Sequence, residues 1–142
     1  MENVRILYKN PDGGVSIVIP APNCGLTLDE IIEKDVPNGV DYRIVDVSDI
    51  STDRTFRNAW EYGENGVIKT SFKKAVEVTK ERLRSERKPL LEEQDVAFQI
   101  AMETGKNMDS VVSEKKRLRD ITLKADKAKT LDELKAITVK DK

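Results

Sequence analysis

From Ser71 onward, the residues that could face a hydrophobic core recur at the spacing of an α-helix. They are separated by three, four or seven positions, and they comprise Phe72, Val76, Thr79, Leu83, Leu90, Ala97 and Ala101. Residues at this spacing lie on one helical face, close to the heptad seam of a coiled coil. Pro89 lacks an amide hydrogen and predicts a kink or a break near residues 86–88, and Gly105 predicts the end of the helix.

A second helical segment follows after a very short linker. Its apolar residues again share one face: Met108, Val111, Val112, Leu118 and Ile121. Because so short a linker cannot carry the chain far, the two segments are predicted to form an antiparallel helical hairpin. Thr130 and Glu133 form a capping box that opens a short terminal helix, and the charged tail beyond it is expected to fray.

The long helix is not expected to be stable by itself. One apolar stripe buries too little surface to offset the conformational entropy lost when more than thirty residues become ordered. Its seam therefore needs a cover. The candidates are the helical hairpin, the first half of the chain, a second copy of the chain in a homo-oligomer, or a different protein.

The first half of the sequence alternates with the period of β-strands. Val4, Ile6 and Tyr8 occupy alternate positions, the turn segment NPDGG follows, and VSIVI alternates again from Val15. This pattern predicts a β-hairpin. A capping box of Thr27 and Glu30 predicts a short helix that ends before Pro37, and residues 41–47 and 66–70 predict a third and a fourth strand.

These patterns together predict the α+β class. We expect a small antiparallel β-module with a short helix over residues 1–65, and over residues 66–142 a long kinked helix in an antiparallel helical hairpin with a short terminal helix. The charge is divided in the same way: residues 1–65 hold 12 acids and 6 bases, and residues 66–142 hold 14 acids and 19 bases. Such an asymmetry is compatible with solvated helix surfaces, with contact between the halves, or with an acidic partner.

The segment DRTFRNAWEY concentrates aromatic residues between the two halves. Phe56 and Trp60 are four residues apart, which suits one helical turn that docks both rings. The favoured interpretation is a structural clamp at the junction. The alternative is an exposed anchor for a partner, since tryptophan, tyrosine and arginine dominate binding hot spots.

The composition argues against catalysis. The chain has no histidine, so Ser-His and Cys-His pairs and the usual zinc sites are excluded, and its single cysteine, Cys24, cannot form an internal disulfide. Ser71 with Lys74 and Ser113 with Lys116 share the spacing of serine acyl-enzymes but lack the companion motifs. We therefore expect no enzymatic activity, no cofactor and no metal. The sequence also contains no apolar run of membrane-spanning length.

Nucleic-acid binding is a third hypothesis, supported by basic residues on the two predicted helices. They are Lys73, Lys74, Lys80, Arg82, Arg84, Arg87 and Lys88 on the first and Lys115, Lys116, Arg117 and Arg119 on the second. Glu77, Glu81 and Glu86 interrupt any continuous phosphate track, and stacking aromatic residues are lacking nearby. Nucleic acid is therefore not the expected partner.

Two segments of the helical half carry a family resemblance. The stretch RSERKPLLEEQDV, followed some twenty residues later by KKRLRDIT, is similar to the C-terminal segment of tail assembly chaperones and tail-fibre assembly proteins of tailed bacteriophages. The matching positions are Arg84, Arg87, Leu90, Leu91 and Asp95, then Leu118, Arg119, Asp120 and Ile121. Val96 stands where an aromatic residue is frequent in that family, and KADKAKTLDEL replaces a proline-bearing end.

This resemblance implies a non-enzymatic tail accessory protein that binds a tail-fibre or other tail protein in the host bacterial cytoplasm during assembly, and that remains with the virion in one version of the hypothesis. The partner-binding residues would be Phe56, Trp60, Arg84, Arg87, Leu90, Leu91, Asp95, Leu118 and Arg119. The alternatives are a small structural protein of the virion tail and the nucleic-acid-binding regulator. A self-satisfied hairpin, in which Asp95 pairs with Arg119, explains the same residues without a partner.

Overall fold

The computed structural model describes residues 2–141 and divides the chain into two compact units, one ending at Ser71 and the other beginning at Phe72. The α+β class is confirmed. The division falls six residues later than the sequence predicts, because the strand at residues 68–70 pairs with a strand of the first unit.

The first unit is built on a three-stranded antiparallel sheet. Strands β1 (Val4–Lys9), β2 (Val15–Val18) and β3 (Tyr42–Asp46) lie in the order β2-β1-β3. The predicted hairpin of β1 and β2 and the predicted third strand are both present. The central strand β1 is buried on both faces, since Ile6 and Leu7 point to opposite sides of the sheet and both are inaccessible to solvent.

Helix α1 (Leu28–Asp35) covers one face of this sheet. Its N-terminus has the predicted capping box, in which the Thr27 hydroxyl accepts from the Glu30 amide and the Glu30 carboxylate accepts from the Thr27 amide. Ile31 packs with Ile6 and Val36 in the core between the helix and the sheet. Pro37 follows the end of the helix, as the sequence predicts.

The other face of the sheet is covered by a second, two-stranded sheet. Strands β4 (Trp60–Tyr62) and β5 (Ile68–Thr70) form an antiparallel pair, and short 3-10 turns precede and connect them. Trp60 packs with Leu7, Val15 and Ile50 in this second core. The sequence predicts β5, within residues 66–70, but not β4.

The second unit is formed by one long helix and three shorter ones. Helix α2 (Phe72–Thr104) is continuous through Pro89. Of the two predicted alternatives near residues 86–88, a kink or a break, the break is therefore wrong. Pro89 and Ser85 are both exposed. The carbonyl of Ser85, which loses its usual donor at Pro89, therefore faces water, and this lowers the cost of a proline within the helix.

Helices α3 (Asp109–Asp120), α4 (Leu123–Lys127) and α5 (Leu131–Ala136) all pack against α2. The buried residues of this unit are Ala75, Thr79, Leu83, Ala101, Leu118, Ile121, Ala125, Leu134, Ile137 and Val139. Thr79, Leu83 and Ala101 of the predicted seam are thus buried, whereas Phe72 at its beginning is exposed. The tail beyond α5, expected to fray, instead buries Ile137 and Val139.

Gly105 ends α2 as predicted. Its φ of 69° lies in the left-handed region, and the amides of Gly105 and Lys106 donate to the carbonyls of Met102 and Ala101. This is the Schellman arrangement that glycine permits at a helix C-terminus. None of the helices within residues 2–141 is both long and apolar enough to cross a membrane.

Candidate interaction surface

Arg87 holds the C-terminal turn of α3 against α2. Its Nη1 donates to the carbonyl oxygen of Arg119 at 2.8 Å and to that of Leu118 at 3.4 Å. The last carbonyl groups of a helix receive no hydrogen bond from within the helix. A guanidinium at this point donates to them, and its positive charge also interacts favourably with the C-terminal end of the helix dipole. Arg87 therefore acts inside the unit, on the backbone of two other residues of the resembling segments.

Asp95 also has its partner inside the unit, but the partner is not the expected one. Asp95 Oδ1 lies 2.7 Å from Nζ of Lys115, and the same ammonium lies 5.2 Å from the centre of the Phe98 ring. The hypothesis of an Asp95–Arg119 pair is wrong. The register of the two antiparallel helices places the backbone of Arg119 beside Arg87, two turns of α2 away from Asp95.

The leucines of the motif contribute to packing. Leu118 is fully buried, while Leu90 and Leu91 are half-buried on α2. Arg84 is exposed and pairs with Glu81 one turn earlier, and the side chain of Arg119 is exposed. Among the motif residues assigned to partner binding, the side chains of Arg84 and Arg119 are thus exposed.

Arg117 has a role that the sequence does not reveal. Its Nη1 donates to the carbonyls of Val139 at 2.8 Å and Asp141 at 2.6 Å, while Glu114 accepts from its Nε and Nη2. The amide and hydroxyl of Thr138 hold the pKa of the Asp141 carboxyl below its usual value. Because the acceptors are backbone carbonyls more than twenty residues away, no local pattern indicates that Arg117 fixes the tail.

Arg87→Met is expected to lower the free energy of unfolding of the helical unit by about 1.5–3 kcal/mol, since hydrogen bonds to a charged donor are lost and the α3 carbonyls are left without it. Arg84→Met is the matched control, because Arg84 lies one turn away and is exposed. Denaturant unfolding followed by far-ultraviolet circular dichroism measures both. Equal stability of the two variants would contradict the role of Arg87.

Four exposed apolar residues lie toward the free end of the α2–α3 hairpin, and Met102 projects about 200° around α2 from Ile100. This hairpin end consists of Val96, Ile100 and Met102 near the C-terminus of α2 and Val112 in the first turn of α3, and all four side chains are more than half exposed. The sequence predicts a core-facing position for Val112, and that prediction is wrong. Apolar residues occur both on the buried face of a helical hairpin and at its exposed end. Their positions in the sequence do not tell the two apart, and only the packing of the helices does.

Phe56 and Trp60 belong to the first unit and are buried, with 6% and 5% of their surfaces exposed. They flank a single 3-10 turn, Arg57–Ala59, which agrees with the predicted one-turn spacing. Arg57 stacks over the Trp60 ring at 5.0 Å and donates to the Val15 carbonyl at 3.0 Å. The alternative of an exposed aromatic anchor is therefore wrong for these two side chains.

The first unit also contains an open polar cleft of about 700 Å³. Arg43 and Tyr62 line it, and Nη1 of Arg43 donates to the Asn65 carbonyl at 2.7 Å. Burial raises the pKa of the Tyr62 hydroxyl. The basic side chains of Lys9, Arg43 and Lys69 are balanced by Asp41, Glu61 and Glu64, so the cleft has no charge preference for one class of ligand.

No family model matches this sequence, and no curated protein or solved structure matches it. The structure itself therefore provides the evidence on function. The first unit is a β-module with Trp60 buried in its core, and the second is a helical unit with exposed apolar residues at its hairpin end.

Proposed function

We propose that this chain is a non-enzymatic accessory protein of a tailed bacteriophage or prophage, an assembly chaperone that binds a tail-fibre protein or another tail component. The observation that carries the proposal is the hairpin end. Four apolar side chains lie exposed within two turns of α2 and one turn of α3. Val96 and Ile100, four residues apart, share one face of α2, and adjacent exposed apolar side chains favour a protein-binding role more than single scattered ones do.

The contacts of the motif residues support a role for the rest of the hairpin in holding this end in place. Arg87, Asp95 and Leu118 stabilise the hairpin by bonds and packing between its helices. A helical hairpin stabilised in this way keeps its free end in a defined geometry, and such preorganisation reduces the entropy lost on binding. The resemblance of residues 84–95 and 115–122 to tail assembly chaperones suggests the class of partner.

Binding is proposed in preference to catalysis because the chain lacks the residues on which most catalytic arrangements depend. It has no histidine, and its single cysteine is exposed. A partner bound through apolar surface requires neither. Substrate turnover by the purified chain would contradict this part of the proposal.

The test is co-expression of the chain with each tail protein encoded beside it, followed by affinity capture. We expect one tail protein to be retained by the wild-type chain and lost with Ile100→Asp, because a carboxylate in the hairpin end would have to be buried on binding. Leu123→Asp is the matched control, since Leu123 and Ile100 are both helical and both 52% exposed. Capture of no tail protein, or equal loss with both variants, would contradict the proposal.

Mass spectrometry of purified particles separates the chaperone from a structural protein of the virion. An assembly chaperone is expected to be absent or substoichiometric in mature particles. A fixed copy number per particle would assign the chain to the tail structure instead.

A further inference from the structure

Strand β3 presents a row of backbone groups at an open edge of the sheet. Its odd-numbered residues face β1, because the Lys9 amide donates to the Asp41 carbonyl and the Val47 amide donates to the Asn3 carbonyl. In an antiparallel ladder the alternate residues point the other way. The amide and carbonyl groups of Tyr42 and Ile44 therefore point away from the sheet, and no hydrogen bond joins them to another residue within the described range 2–141.

The opposite edge of the same sheet is covered at its beginning. The carbonyl of Gly13, which precedes β2, accepts from the Tyr62 amide at 3.1 Å, and the carbonyl of Val15 accepts from Arg57. The difference between the two edges is one of side chains as well as of backbone. Tyr42 and Ile44 are nearly half exposed, so β3 carries an apolar face beside its free hydrogen-bonding groups.

We propose that a second copy of this chain pairs with β3, strand against strand, about a twofold axis at Tyr42. The two β3 strands run antiparallel, so that Tyr42 lies opposite Tyr42 of the second copy and Ile44 lies opposite its Val40. The outward amide and carbonyl of Tyr42 exchange two hydrogen bonds, and each Ile44 amide donates to a Val40 carbonyl. The proposal concerns the first unit and does not depend on the tail partner.

We compare three registers, with Tyr42, Arg43 or Ile44 at the twofold axis, in which the outward backbone amides and carbonyls of the two strands can pair. The charges of Arg43 and of Asp41, which precedes β3, favour the register with Tyr42 at the axis. With Tyr42 at the axis, each Asp41 lies opposite the Arg43 of the other copy. Nη1 of Arg43 stays on the Asn65 carbonyl of its own chain, and its other N–H groups form the two cross-strand ion pairs. With Arg43 at the axis, two guanidinium groups lie directly opposite each other, which is unfavourable. With Ile44 at the axis, Arg43 lies opposite Val45 and no ion pair forms, and Tyr42 lies opposite Asp46, whose amide is already bonded to Asp49.

The length of the strand determines how strong the association is. Five residues from each copy bury less than the roughly 1,200 Å² of total surface that stable complexes need, so the dimer is a weak one that forms at high protein concentration. Charged residues at a sheet edge commonly prevent such pairing. Here Asp41 and Arg43 are complementary across the twofold axis at Tyr42, and like charges meet in the register with Arg43 at the axis.

Disulfide cross-linking of the full chain reads the register directly. Three variants each carry one cysteine, at Tyr42→Cys, Arg43→Cys or Ile44→Cys, in a Cys24→Ser background. Residues at the axis have Cα atoms about 5.5 Å apart, within the range that a disulfide spans. Tyr42→Cys is therefore expected to form a covalent dimer under mild oxidation. The cysteines at 43 and 44 would be separated by roughly 8 Å and 14 Å, beyond disulfide reach, and are expected to stay monomeric.

A charge exchange tests the ion pairs without altering Tyr42. Asp41→Arg makes both charged positions basic and Arg43→Asp makes both acidic, so each variant alone is expected to dimerise roughly tenfold more weakly than the wild-type chain. An equimolar mixture restores both ion pairs in a heterodimer, and sedimentation equilibrium is expected to show recovered association. Circular dichroism verifies that each variant is folded.

Three outcomes would overturn the proposal. The first is a chain that stays monomeric at high concentration, which would show that the charges block the edge. The second is preferential cross-linking at 43 or 44, which would show a different register. The third is a mixture of the charge variants that associates no better than either one alone.

Discussion

Replacing Leu118 by alanine is expected to lower the free energy of unfolding of the helical unit by about 2–5 kcal/mol. Leu118 is completely inaccessible to solvent, and α3, to which it belongs, packs against α2. Truncation removes its buried methyl groups and leaves a cavity that the rigid helix pair fills only in part. Denaturant unfolding followed by far-ultraviolet circular dichroism measures the change.

Leu123→Ala is the control for this prediction. Leu123 belongs to the neighbouring helix α4, and 52% of its surface is exposed, so its truncation removes little buried area. Its effect is expected to stay within about 0.5 kcal/mol. If the two leucine variants were equally stable, Leu118 would not be the packing residue that closes the hairpin.

Replacing Trp60 by alanine is expected to destabilise the first unit by about 3–5 kcal/mol. The indole packs with Leu7, Val15 and Ile50 and supports the Arg57 guanidinium, which itself bonds to the Val15 carbonyl. Loss of the ring therefore opens the core between the two sheets. Amide hydrogen exchange in β1 measures this unit separately from the helical one.

Tyr42→Ala is the aromatic control in the same unit. Tyr42 is 48% exposed and lies on the open edge of β3, so its truncation is expected to change exchange in β1 only slightly at a concentration too low for chains to associate. If Trp60 were instead an exposed residue that binds a partner, its replacement would not affect the core. Trp60→Ala would then leave β1 protected and affect only the capture of a partner.

Local signals in the sequence predicted much of the fold because their causes lie within a few residues. The capping box of Thr27 and Glu30 and the glycine stop at Gly105 both involve backbone groups less than two turns away. The alternation of β1 and β2 likewise reflects the period of a strand. Pro89 shows the limit of such signals, since the helix continues where the proline faces water.

The candidate site was predicted less well. The resembling segments contain Arg87, Asp95 and Leu118, which were assigned to partner binding, and the structure shows these residues in contacts between α2 and α3. Val112 was predicted to be in the core and is exposed, whereas Val96 and Ile100 gave no sequence signal as surface residues. The orientation of an apolar residue near a hairpin tip depends on which helices pack there.

The sequence by itself determined the α+β class, the hairpin of β1 and β2 and the two ends of the long helix, because periodicity and capping act through the neighbouring backbone. Only the tertiary structure decided that Asp95 pairs with Lys115, that Arg117 holds the tail, that Trp60 is enclosed and that β3 keeps an open edge. Each of these depends on groups far apart in the chain, whose positions follow from packing rather than from local spacing.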